Sequence, residues 1–141
     1  MTLARVAACV AASLVTGNAS TASLSCPLEL VASQTATAPA PEWAVSYETY
    51  PLRLSGMSVF DGPPDEQADL KYHDSRKANR EWTVRWRLAP NPRGYWLMCR
   101  YDGTRAQVSR RIPDGATRCT GRYDLTVAVG AGPLLVEAVC E

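Results

Sequence analysis

From Leu28 onward, apolar residues recur at every second position in short runs broken by Pro, Gly or small polar residues. That is the period of strands with one face buried. Leu28 to Ala32, Trp43 to Tyr47 and Leu52 to Phe60 are such runs. The clearest is Trp82 to Leu88, which predicts Trp82, Val84, Trp86 and Leu88 facing a core, with Thr83, Arg85 and Arg87 facing water. After a turn cluster from Ala89 to Gly94, Tyr95 to Tyr101 is largely apolar on both faces, as in a central strand covered on each side. Asp102-Gly103 is a tight-hairpin pair, so Thr104 to Ile112 is expected to return antiparallel along that strand. Pro113-Asp114-Gly115 turns the chain again. Two more strands are predicted near Arg118 to Val129 and Leu134 to Cys140, joined by Gly130 to Pro133.

One stretch breaks the pattern. Pro63 and Pro64 followed by Asp65, Glu66 and Asp69 suit the first turn of a helix, where acids meet the positive end of the dipole. A short helix of about two turns is therefore expected inside a long connection from Asp61 to Arg80, and connections of that length are often functional. The fold class that follows is all-β, or mainly β with one short helix: an antiparallel sandwich or barrel.

The N-terminal residues change the compartment. Val6 to Val15 is an apolar run after a single positive charge, followed by the small residues Ser20-Thr21-Ala22 of a signal-peptidase site. Residues 1–22 are read as a cleaved export signal and 23–141 as a single β-rich domain. The run is too short to span a bilayer, which takes about 20 apolar residues. No stable membrane anchor is expected, and the periplasm, reached through Sec, is the expected address.

Without the signal, the five cysteines become four: Cys26, Cys99, Cys119 and Cys140. An even number in an exported domain predicts two disulfides. Three connectivities are possible. Cys26–Cys140 with Cys99–Cys119 is favoured, because the first bond would tie the two ends of the mature chain. Zinc does not fit, since no C-x-x-C spacing exists and the chain has one histidine; no metal or cofactor is expected.

Charge is balanced in total and divided in sequence. Leu24 to Ser75 holds two basic and eight acidic residues, whereas Arg76 to Arg122 holds twelve basic and three acidic. Either the fold interleaves the two stretches, or a basic face awaits an acidic partner.

Candidate chemistry is thin. His73 stands in Lys71-Tyr72-His73-Asp74-Ser75, but adjacent loop residues do not easily form a nucleophile–base–orienter geometry, and no G-x-S-x-G motif is present. Asp61, Asp65, Glu66 and Asp69 read as a solvated face, not as carboxylates across a cleft. Trp82, Arg85, Trp86, Arg87, Trp96 and Arg100 could form a nucleic-acid platform, which export argues against. No catalytic residue is assigned.

Several blocks resemble a known family: Cys26-Pro27, Trp43, Leu54-x-Gly56, Phe60-Asp61-Gly62-Pro63-Pro64 with Ala68-x-Leu70, the Trp82 to Leu88 strand, Tyr95-Trp96-Leu97-x-Cys99-x-Tyr101-x-Gly103-Thr104, Ile112-Pro113 and Cys119. The family is an uncharacterised group of exported proteobacterial proteins labelled by the locus tag of a Salmonella Typhi member. Glu42 and Lys71 depart from its pattern, where Gly and Pro are common. The resemblance supplies no enzyme activity. It implies an association with type VI secretion gene neighbourhoods, where small periplasmic proteins serve as immunity factors.

The expected function is that of a periplasmic binding protein that neutralises a secreted, cell-wall-targeting antibacterial enzyme; the alternative is an envelope module that binds glycan or peptidoglycan. The expected partner is a protein, and no nucleic acid. Asp61, Asp65, Tyr72, His73, Arg76 and Arg93, on the longest polar connections, are the expected contact residues.

Overall fold

The alternation at residues 82–88 folds as a strand, Glu81–Arg87, with Val84 and Trp86 buried and Arg87 exposed. The computed structural model describes residues 22–33, 35–46 and 49–141. In chain order the strands are β1 (Leu24–Ser25), β2 (Glu29–Leu30), β3 (Leu52–Asp61), β4 (Asp69–Leu70), β5 (Asp74–Ala78), β6 (Glu81–Arg87), β7 (Tyr95–Tyr101), β8 (Gln107–Arg111), β9 (Arg118–Val129) and β10 (Gly132–Cys140). One sheet has the order β1-β10-β9-β6-β5, the other β2-β3-β7-β8 with β4 also on β3, and every pairing is antiparallel.

The two sheets share one core. Leu54 and Val59 of β3, Leu97 of β7, Val84 of β6 and Leu135 of β10 are all within 2% of full burial. Each such aliphatic side chain contributes about 1.5–3 kcal/mol relative to exposure. Gly121 on β9 lets the sheets approach: a Cβ there would stand 2.7 Å from Met57 Sδ of β3. Tyr95 to Tyr101 is the central strand between β3 and β8, but only one of its faces is covered: Leu97, Cys99 and Tyr101 are buried, while Trp96 and Met98 are half-buried and Arg100 is exposed; the returning strand β8 is Gln107–Arg111.

The disulfides are Cys26–Cys99 and Cys119–Cys140, not the favoured Cys26–Cys140 and Cys99–Cys119. The physical reason is register. Leu24 already pairs with Cys140, and Cys26 N–H donates to Ala138 C=O at 3.0 Å, so the chain ends are joined by a strand ladder. Cys140 lies directly opposite Cys119 on the neighbouring strand, whereas Cys99 belongs to the other sheet. Cys26, one residue past β1, is left to cross between the sheets and reach Cys99.

Two other expectations change. Among the described residues the only helical turn is Pro64–Glu66, a single 3-10 turn that stops at Gln67 with a left-handed φ of 57°. The rest of the Asp61 to Arg80 connection supplies β4 and β5 instead. Residues 43–46 form no strand, and Trp43 N–H closes a turn onto Ala40 C=O. The predicted export signal falls on residues outside the described ones, save Ala22. Among the described residues no helix is long and apolar enough to cross a membrane.

Candidate functional site

The six expected contact residues separate into two groups. Asp61, Asp65 and Arg93 come together at one end of the sandwich, on the loops after β3 and β6. Asp61 Oδ1 accepts from Asn91 Nδ2 at 2.8 Å, Gly62 N–H donates to Gly94 C=O, and Arg93 is ion-paired with Glu66. Asp61 and Arg93 therefore stitch the two loops to each other, while Asp65 is exposed beside them. Tyr72, His73 and Arg76 instead run into and along β5, the edge strand of the first sheet.

That edge is built from β6 outward. Trp86 points inward, is 5% exposed, and donates its indole N–H to Leu70 C=O at 2.8 Å, which anchors β4. Tyr72 packs its ring against Trp86 at 6.0 Å in an edge-to-face pair. His73 N–H donates to Arg85 C=O, so the residue entering β5 is fixed by its backbone. The His73 side chain borders a depression of about 450 Å3 with Trp86, Arg87 and Arg118. Every residue of β5 is exposed, and its outer edge has no partner strand among the described residues.

The hydrolytic constellation suggested by His73-Asp74-Ser75 is not assembled. Asp74 accepts from Arg85 Nη1 at 2.7 Å, and Ser75 Oγ accepts from Trp82 Nε1 at 2.9 Å. Both groups are committed to β6. Among the described residues no set of three His, Cys, Asp or Glu side chains is grouped to hold a metal ion.

Two ion pairs join the acidic stretch to the basic one, Asp74–Arg85 and Glu66–Arg93. The register Asp74↔Arg85 creates one ion pair; Glu81 and Glu137 flank Arg122 at 3.6 and 3.0 Å, Glu141 meets Arg118, and Asp114 meets Arg111. These exposed pairs contribute little, about 0–1 kcal/mol each. Arg76, Lys77, Arg80 and Arg87 on the β5–β6 side make no ion pair among the described residues, and neither do Arg100, Arg105 and Arg110 on β7, β8 and the loop between them.

The Arg85 hydrogen bond, reinforced by its charge, holds the Asp74 carboxyl below its ordinary 3.8. A depressed carboxylate adds stability above its unfolded pKa and loses it as pH falls through the folded value. Arg85→Ala is accordingly expected to return the Asp74 titration midpoint toward 3.8, followed by carboxyl-carbon NMR; an unmoved midpoint would refute the pairing.

No Trp–Arg platform forms. Trp82 stacks on Tyr123 with ring centroids 4.7 Å apart and lies on the inner face with Trp86, while Arg85 and Arg87 lie on the outer face. Trp96 belongs to the other sheet. Sequence reasoning did not foresee the bulge of β9, where Leu125, Thr126 and Val127 have no partner on β10. An unbroken uncharged run from Leu125 to Val136 was the available signal.

Residues 48–141 match the family described as type VI secretion system Tli immunity protein. No curated protein and no solved structure matches the chain.

Proposed function

Because the chain belongs to the type VI secretion system Tli immunity protein family, we propose that it binds a secreted effector directly and blocks it in the periplasm, the effector being an enzyme that attacks the cell wall. The observation that carries this reading is the β5 side: a fully exposed edge strand held in place by Trp86, Trp82 and Arg85. A surface already ordered before binding loses little conformational freedom on association. Tyr72, His73 and Arg76 present an aromatic ring and positive charge there. Asp61 and Arg93 act one step back, by fixing their loops, with Asp65 at the rim.

Two disulfides favour an oxidising compartment. Export is the condition for neutralisation on this reading. Cells expressing the full chain are expected to survive periplasmic delivery of its cognate effector, while cells expressing residues 23–141 in the cytoplasm are not. Protection by the cytoplasmic form would place the encounter elsewhere.

A further inference from the structure

β3 and β7 fall out of step at one residue. Leu54 pairs with Tyr101 and Gly56 with Arg100, so Ser55 is extra on β3. Bulges of this kind re-aim neighbouring side chains. Here the bulge sets a residue without a side chain opposite an arginine, and the guanidinium lies over it: a Cβ on Gly56 would stand 3.2 Å from Arg100 Nε and 3.5 Å from Nη2.

Arg100 is fixed at both ends. Its carbonyl accepts from Ser55 Oγ at 3.3 Å, while Nη1 donates to Ser58 Oγ at 2.9 Å and Nη2 to Met57 C=O at 3.2 Å. None of these acceptors is charged, and Arg100 makes no ion pair among the described residues. Nε–H and the second N–H of each terminal nitrogen have no hydrogen-bond partner among the described residues. The guanidinium is held in one orientation with donors to spare, and a carboxylate matches such a planar fork.

A cleft of about 340 Å3 opens between the two sheets at this point. Ser55, Gly56 and Arg100 line it from one sheet. Trp82 and Tyr123 line it from the other, their rings stacked with centroids 4.7 Å apart. Burial raises the Tyr123 hydroxyl above its ordinary range and the Arg100 charge opposes that shift, so the guanidinium stands within electrostatic reach of the aromatic wall. Arg105 lines the cleft from the β7–β8 connection, which is braced by Ala106 N–H donating to Thr104 Oγ1 at 3.0 Å.

No acidic residue lines this cleft. Asp102, the acid of the same connection, lies against Gly130, where a Cβ would meet its carboxylate. In the larger depression beside Arg76 and Arg80, by contrast, Glu81 and Asp124 share the space with the arginines. Trp82 also joins the cleft to β5, since its indole N–H donates to Ser75 Oγ and Lys77 Nζ stands 5.3 Å from its ring. The volume suits a side chain or a small organic acid.

We propose that this cleft is a carboxylate-binding subsite: the carboxylate meets the unpaired N–H groups of Arg100 and the charge of Arg105, and its apolar stem lies against the Trp82–Tyr123 pair. On the effector-binding reading, on which the source of the carboxylate rests, it is an acidic side chain of the effector. A free organic acid carries the same chemistry, and the test separates the two sources.

The oxidised, isotope-labelled chain is titrated with glutarate while its arginine Nε–H resonances are followed, and its affinity for a purified cognate effector is measured in parallel. Glutarate is expected to shift the Arg100 resonance to saturation, and the shift to vanish in Gly56→Val, which displaces the guanidinium and alters no charge. Arg100→Gln with Arg105→Gln is expected to weaken effector binding about 30-fold at an unchanged melting temperature. Should that variant fold poorly, Arg105→Glu alone, on the exposed connection, is expected to weaken it about tenfold. Weaker effector binding without a glutarate shift supports the effector side chain as the source. A glutarate shift with wild-type effector affinity in the folded variants would overturn that source and leave free acids. Neither response would overturn the subsite. A glutarate shift in a wild-type chain that does not bind the effector would overturn the functional reading and leave the cleft standing.

Discussion

Removing the Cys26–Cys99 bond, as Cys26→Ala with Cys99→Ala, is expected to lower stability by about 4 kcal/mol and the melting temperature by roughly 15 °C. The bond closes a loop of 73 residues in sequence and connects the segment after β1 to β7 in the opposite sheet. Little else would replace it. Tyr101 donates to Pro27 C=O at 2.9 Å, and Leu54 N–H to Leu28 C=O, but these hold the segment locally. Cys119–Cys140 spans 21 residues between strands that are already hydrogen-bonded neighbours, so its removal should cost less, about 3 kcal/mol. Against a total stability of about 5–15 kcal/mol, either loss is large. Thermal melts of the two double variants give the order, and non-reducing peptide maps give the pairing. A map joining Cys26 to Cys140 would contradict the register described above.

The second large effect is at Trp86. Trp86→Ala empties a core position and leaves Leu70 C=O without its indole donor, a loss of about 3–5 kcal/mol. It also removes the ring against which Tyr72 packs. Chemical denaturation measures the first consequence. Faster exchange of the β5 amides measures the second, because the edge strand loses its inner support. Trp86→Phe keeps an aromatic ring but removes the hydrogen bond and part of the indole's volume, so it should cost less than Trp86→Ala, about 2 kcal/mol, and leave β5 more protected. Equal losses for both variants would mean that the hydrogen bond, rather than the packing, dominates.

Much of the fold was legible because its signals are local. Val84, Trp86 and Leu88 are buried at every second position as the alternation demands, although Thr83 between the faces is buried too. Asp102-Gly103 turns the chain, within a longer loop than a two-residue hairpin, so β6 and the pairing of β7 with β8 follow from neighbouring residues. The disulfide pairing was not legible, since it depends on which strands become neighbours: only the Leu24↔Cys140 ladder frees Cys26 for Cys99. β5 was hidden for another reason. Both of its faces are exposed, so Asp74 to Ala78 carries no period-two contrast, and the nearby prolines and acids drew the reading toward a helix.

The site divides in the same way. Tyr72, His73 and Arg76 could be singled out as polar residues in a long connection, yet their support by Trp86 and Arg85 needed the antiparallel register. Asp61 and Arg93 looked like contacts and are occupied in joining the loop after β3 to the loop after β6. The uncharged run from Leu125 onward is visible in the sequence, but not that Leu125 to Val127 leave the ladder with β10, because an apolar run pairs or bulges according to the strand opposite it. Among the described residues the acidic and basic stretches meet in two ion pairs, which the sequence alone could not place. Asp74 and Arg85, eleven residues apart, are brought face to face by one hairpin.

Direct neutralisation of the effector is the central claim, and a stoichiometric titration tests it. The catalytic activity of a purified cognate effector, measured on its own substrate, is followed as oxidised residues 23–141 are added. Binding that blocks the enzyme predicts a linear fall to zero at about one equivalent, as for a tight complex. Full activity in the presence of excess folded, disulfide-bonded protein would contradict it.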